Sequence, residues 1–69
     1  MKIRPEIKEA LMAAYRIHGQ GAKEAIFSSW FYGSYFVYGL SEYAEALQRL
    51  RRTYDGHDLV QNLNFADLS

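Results

Sequence analysis

Apolar residues near the start of the chain recur with the period of an α-helix. One stripe at helical spacing consists of Ile7, Leu11, Ala14, Tyr15 and His18. Pro5 suits the first turn of a helix, because a backbone N–H at that position would have no acceptor within the helix. Gly19 is a typical C-terminal stop. The pattern therefore predicts a first helix over residues 5–18.

A second helix is predicted over residues 22–38, after the short connection Gly19-Gln20-Gly21. Eight of the eleven aromatic residues of the chain lie between Phe27 and Tyr43, most of them in this segment. Aromatic residues also favour strands, so one or two strands are the competing interpretation. Strict alternation is missing, however, and an isolated hairpin is marginal in water, which favours the helix.

Projected as a helix, this segment has two apolar faces. One carries Ala22, Ala25, Ile26, Ser29, Gly33, Phe36 and Val37, and the other carries Phe27, Phe31, Tyr35 and Tyr38, with Trp30 between them. A helix that is apolar all round has to be buried on most sides. Since two short helices and a tail can cover only one face, we expect a second chain on the other and predict a homodimer.

Small residues in the second helix suggest how two chains pack. Gly33 inside a helix costs about 0.8–1 kcal/mol relative to alanine, and Ser29 lies four residues before it. This spacing permits close approach of another helix, so Ser29, Gly33, Phe36 and Val37 are the predicted dimer-packing residues. A tolerated glycine or a mild kink is the alternative interpretation.

A third helix is predicted over residues 41–54. Ser41 is a suitable N-cap, and Asp55-Gly56 marks the end of the helix. Its apolar face consists of Tyr43, Ala44, Leu47, Leu50 and Tyr54. The tail, residues 57–69, is too apolar to be purely solvated. We expect it to pack across the bundle or onto a second subunit, although Asp58 could also cap one short turn there. The chain is thus predicted to be one all-α domain of three helices.

Length and composition indicate that this domain has a marginal core. Its 69 residues are enough for a single domain, and small domains usually need disulfides, a metal or oligomerisation for stability. The chain has no cysteine, and its two histidines, His18 and His57, are far apart. We therefore expect no metal site and no cofactor, and oligomerisation remains. Absence of cysteine fits a reducing cytoplasm.

The charge balance argues against two classes of partner. The charges of eight basic and eight acidic side chains cancel. The chain therefore lacks the net positive electrostatic field expected of a protein that binds nucleic acids or membrane surfaces nonspecifically. Membrane insertion is also disfavoured, because the apolar stretch from Ala25 to Leu40 is 16 residues long and a span needs about 20. We expect no secretory signal here, because charged residues and Pro5 follow Met1 at once.

No arrangement of residues predicts catalysis. The serines have no evident base beside them, the carboxylates are scattered, and Gly19-Gln20-Gly21 lacks the pattern of a phosphate-binding loop. The basic cluster Arg49, Arg51 and Arg52 has two interpretations, a contact with a phosphate or an acidic partner and a solvated helix face with a Glu45–Arg49 pair; for Arg49 and Arg52 we favour the solvated face. Arg51 projects close to the apolar stripe, where it either snorkels or pairs across an interface.

Protein binding is the function that the aromatic residues favour. Tyr and Trp supply large contact areas with a polar tip and are enriched in interface hot spots. The predicted protein-binding residues are Phe27, Trp30, Phe31, Tyr32, Tyr35, Tyr38 and Arg51. The alternative is a small helix-turn-helix DNA-binding regulator, but its recognition helix would then be full of aromatic residues, with Lys23 as its only cation.

A resemblance to a known group adds a possible target. The segments Arg4-Pro5-Glu6-Ile7, Tyr15-Arg16-Ile17-His18-Gly19-Gln20 and 25–35 resemble the small early host-takeover and anti-quorum-sensing proteins of Mu-like Pseudomonas phages. The resemblance covers the whole chain without a sharp motif, so it transfers no binding residue.

The resemblance implies a homodimeric helical inhibitor in the host cytoplasm. Its implied partners are LasR, a LuxR-type quorum-sensing transcription activator, and PilB, the type IV pilus assembly ATPase. Blocking the first would stop DNA binding by LasR, and blocking the second would reduce twitching and exclude other phages.

Overall fold

The protein is helical throughout the part of the chain that its computed structural model describes, residues 3–32 and 39–68, and this part contains no strand. Four α-helices follow one another: α1 (Pro5–His18), α2 (Ala22–Tyr32), α3 (Ala44–Arg52) and α4 (Gly56–Asn62). Short 3₁₀ turns lie at Gly19–Gly21, Ser41–Tyr43 and Phe65–Leu68. The prediction of an all-α fold is confirmed for these residues.

The first helix, α1, has the predicted bounds. Pro5 occupies its first turn, and the carbonyl of Arg4 accepts hydrogen bonds from the N–H groups of Ile7 and Lys8. At the other end Gly19 takes a positive φ of 57° and donates its N–H to the carbonyl of Tyr15. Glycine adopts this conformation without steric cost, which explains why the helix ends there.

The core lies where α1 packs against α2 and α3. One cluster joins Leu11 of α1, Ile26 of α2 and Leu47 of α3, all almost completely buried. Ala10 and Ala14 of α1 belong to the same cluster and are fully buried. Their small side chains let the backbones of neighbouring helices come close.

The start of the third helix differs from the prediction. Gly39 has a φ of 79°, and Leu40 after it is fully buried. Ser41 begins a 3₁₀ turn instead of capping an α-helix, and no side chain caps either that turn or α3. The prediction that Ser41 is an N-cap is therefore wrong.

The third helix also ends earlier than predicted, at Arg52. Thr53 takes an extended conformation, with φ −68° and ψ 141°, and its hydroxyl donates to the carbonyl of Arg49. Because the chain leaves the helical path there, Tyr54 does not continue the apolar face. Its side chain is fully exposed, so its assignment to that face is wrong.

The apolar tail contains most of α4, Gly56–Asn62, where the sequence predicts at most one short turn. The carbonyl of Asp55 accepts a hydrogen bond from the N–H of Leu59. Val60 is fully buried, and Phe65 stacks on Tyr15 of α1 with ring centroids 6.0 Å apart. The tail therefore packs across the rest of the chain and completes the core.

Candidate protein-binding surface

The inner face of α2 is buried by the chain itself. Its buried residues are Ala22, Ile26, Ser29 and Trp30. Ser29 is 1% exposed, and its hydroxyl donates to the carbonyl of Ile26 at 2.6 Å. The sequence predicts Ser29 as a dimer-packing residue. In the structure the chain itself encloses Ser29 and leaves no side-chain surface for a second copy.

Trp30 also lies in the core, although it was expected on the binding surface. Its indole N–H donates to the carbonyl of Leu47 at 3.1 Å, and only 6% of the residue is exposed. The sequence placed Trp30 between two apolar faces. It could not show that the polar tip of the indole has a backbone partner on α3, which makes full burial favourable.

Phe27 faces α4 and is partly buried. Its ring meets Trp30 edge-on, with centroids 5.5 Å apart, and stacks on His57 with centroids 4.7 Å apart. His57 lies on α4 and covers part of the Phe27 ring. Phe27 therefore serves mainly to join α2 to α4, and only part of its ring remains for a partner.

The described part of α2 ends in two exposed aromatic residues, Phe31 and Tyr32, which we call the aromatic end. Phe31 is 77% exposed and Tyr32 is 72% exposed, with ring centroids 6.5 Å apart. The sequence predicted both as protein-binding residues. Two adjacent large rings in water form the kind of surface that gains free energy when a partner covers it.

The remaining predicted positions on the second helix lie outside the described residues. They are Tyr35 and Tyr38 of the protein-binding set and Gly33, Phe36 and Val37 of the dimer-packing set.

Arg51, the last predicted binding residue, is exposed in the final turn of α3. Its neighbour Arg49 pairs with Glu45 at 2.7 Å, the helical pair that the sequence indicated, and approaches Glu6 of α1 at 3.7 Å. The arginines thus have different surroundings, although they lie within one turn.

Two exposed residues were not singled out by the sequence as part of the surface. Ile17 is 44% exposed near the end of α1 and lies against Gly39. The only sign of this exposure in the sequence is that Ile17 lies off the apolar stripe of α1. Tyr54 is exposed because α3 ends before it.

Nowhere in 3–32 and 39–68 do three His, Cys, Asp or Glu side chains come together in a way that could hold a metal ion. In the same residues no helix combines the length and apolar character required to cross a membrane.

Comparison with known proteins adds no relationship. No family model matches the chain, and no curated protein or solved structure is significantly similar to it.

Proposed function

We propose that this chain is a non-catalytic inhibitor that acts by binding another protein through the aromatic end of α2. The observation that carries the proposal is the exposure of Phe31 and Tyr32, two adjacent large rings, at 77% and 72%. Aromatic residues dominate interface hot spots because they bury a large area and lose little side-chain entropy. An isolated exposed ring needs no explanation, but a contiguous pair on a chain this small supports a contact surface.

The proposed targets are those that the phage-protein resemblance implies. The first is LasR, the LuxR-type activator, whose DNA binding the chain would block by occupying its surface. The second is PilB, the pilus assembly ATPase. Binding would take place in the host cytoplasm, and the inhibitor would act stoichiometrically.

The proposal includes a homodimer. It is supported by the small size of the chain, since 69 residues form only a marginal core, and by the exposed rings of α2. The inner face of α2 is covered by α1, α3 and α4, so it is not the proposed dimer contact.

The competing DNA-binding function has less support. Its recognition helix would be α2, whose only cation among the described residues is Lys23. The ammonium group of Lys23 donates to the carbonyl of Gln61 on α4 at 2.8 Å, so it is engaged within the chain. Nucleic-acid binders need several such groups free to meet phosphates.

A gel-shift titration tests both functions together. Purified LasR is bound to labelled operator DNA, and the chain is added in increasing amounts. We expect the LasR–DNA band to disappear and free DNA to appear, with no new band when the chain meets DNA alone at low salt. Persistence of the LasR–DNA complex at saturating chain contradicts LasR as the target. A salt-sensitive complex of the chain with DNA alone favours the regulator instead.

A matched variant links this effect to the proposed surface. Phe31→Ser combined with Tyr32→Ser removes the aromatic end, whereas Tyr54→Ser removes an exposed ring in the turn between α3 and α4. We expect the first variant to lose inhibition and the second to keep it. PilB is tested in parallel, by its binding to the immobilised chain with the same variants.

A further inference from the structure

A second surface, which shares no residue with the aromatic end, has the character of a binding groove. It lies between the start of α1, the last turn of α3 and α4, and it encloses about 500 Å³. Its floor is apolar and includes Ile3, Ile7 and Leu59, and three arginines, Arg4, Arg49 and Arg52, line it as well. We call it the arginine groove.

The groove is elongated along α4. Ile3 and Leu59 also line an adjoining depression of about 340 Å³, which reaches Asn62 and Leu63. The combined feature is open to solvent along its length. Sites for small molecules normally bury most of the ligand, whereas an open, extended groove suits a chain segment.

The charges in the arginine groove are unbalanced. The lining of the groove holds three guanidinium groups and one carboxylate, that of Asp55, and Asp58 lines the adjoining depression. Arg49 is held in place by Glu45 and Glu6, at 2.7 and 3.7 Å. Among residues 3–32 and 39–68, no ion pair engages Arg4 or Arg52, and both are exposed. Two cations therefore remain available next to an apolar floor.

We propose that the arginine groove binds an acidic peptide segment of a partner protein, with apolar side chains between its carboxylates. The planar guanidinium groups of Arg4 and Arg52 match carboxylates in a bidentate manner. The apolar side chains of the segment cover Ile3, Ile7 and Leu59, which removes apolar surface from water. This contact is separate from the aromatic end and holds whether or not LasR is the target.

Fluorescence anisotropy with a defined probe tests the proposal on the full chain. The probe is a short fluorescein-labelled peptide of Glu, Leu and Ser residues. Two matched peptides replace either every Glu by Gln or every Leu by Ser. We expect saturable binding of the first peptide, weakened by salt, and at least tenfold weaker binding of each matched peptide.

Variants of the protein locate the site. Arg4→Glu combined with Arg52→Glu is expected to weaken binding of the acidic peptide at least tenfold. Lys8→Glu combined with Arg16→Glu is the matched control, because it changes the net charge by the same amount at two exposed cations that do not line the groove. It is expected to change the affinity less than twofold, and circular dichroism verifies that each variant keeps the helical signal.

Several results overturn the proposal. Equal binding of the Glu and Gln peptides excludes recognition of carboxylates, and this comparison uses the unaltered protein, so it holds even if a variant fails to fold. An equal loss in the variant that combines Lys8→Glu with Arg16→Glu means that only overall charge matters. Binding of decanoate without binding of the peptide assigns the groove to a small amphiphilic carboxylate instead.

Discussion

The indole N–H of Trp30 donates a hydrogen bond of 3.1 Å to the backbone carbonyl of Leu47, inside the core. This contact joins α2 to α3 across 17 residues of sequence. It fixes the described end of α2 against α3. The exposed rings of Phe31 and Tyr32 follow directly after this anchored residue.

We predict that Trp30→Phe lowers the free energy of unfolding by about 1–3 kcal/mol, because it removes a buried hydrogen bond and leaves space beside the smaller ring. Urea unfolding followed by far-ultraviolet circular dichroism measures the change. Tyr54→Phe is the control, since Tyr54 is fully exposed, and it should leave the midpoint unchanged. Coinciding midpoints for Trp30→Phe and the unaltered chain would show that the hydrogen bond does not stabilise the fold.

The tail is predicted to contribute to stability through Val60, which is fully buried on α4. Val60→Ala should lower the free energy of unfolding by about 2 kcal/mol, since it deletes two buried carbon atoms and leaves a cavity. Gln61→Ala, at the exposed neighbouring position, should change it by less than about 0.5 kcal/mol. Thermal unfolding of both variants checks this. If both variants melt at the same temperature as the unaltered chain, α4 is not part of the cooperative core.

Two glycines are predicted to respond in opposite directions to alanine. A Cβ at Gly56 would collide with the backbone carbonyl of Leu50, whereas a Cβ at Gly21 would meet nothing within 4 Å. Gly56→Ala should therefore destabilise the chain by about 1–3 kcal/mol, as overpacking does. Gly21→Ala should stabilise it by about 0.4–1 kcal/mol through the unfolded state.

The denaturant midpoints of the two glycine variants test both predicted changes in stability. The expected order is Gly21→Ala above the unaltered chain and Gly56→Ala below it. A Gly56→Ala variant as stable as the unaltered chain would mean that α4 does not lie against the end of α3 in solution.

Local signals explain why some elements could be predicted. Pro5 and Gly19 define the two ends of α1 by their backbone chemistry alone, and the stripe between them has helical spacing. The i,i+4 pair of Glu45 and Arg49 was likewise readable, because its geometry depends only on the helix that carries it.

The remaining differences arise from tertiary contacts. Gly56 reads as a stop signal, yet it begins α4, because only a glycine fits against the carbonyl of Leu50. Trp30 reads as a surface anchor, yet the carbonyl of Leu47 satisfies its N–H in the core. Leu47 is 17 residues from Trp30, and the approach of Gly56 to Leu50 depends on how the chain turns between α3 and α4, so a helical pattern could indicate neither contact.

The two candidate binding surfaces could also be predicted only in part from the sequence. Phe31 and Tyr32 were predicted as binding residues from their type, and the structure shows that their rings are exposed. The arginine groove was not anticipated, because it brings Arg4 from one end of the chain next to Arg52 from the other half. Only folding reveals that these cations share an apolar floor.

The most direct test of the proposed function uses biolayer interferometry to measure how tightly purified LasR binds the immobilised chain. The comparison is between the unaltered chain, Phe31→Ser with Tyr32→Ser, and Tyr54→Ser. We predict that losing the aromatic end weakens binding at least about tenfold, as loss of hot-spot side chains does, while Tyr54→Ser stays within about twofold. Equal affinities of all three proteins for LasR would contradict the claim that the aromatic end of α2 is the binding surface.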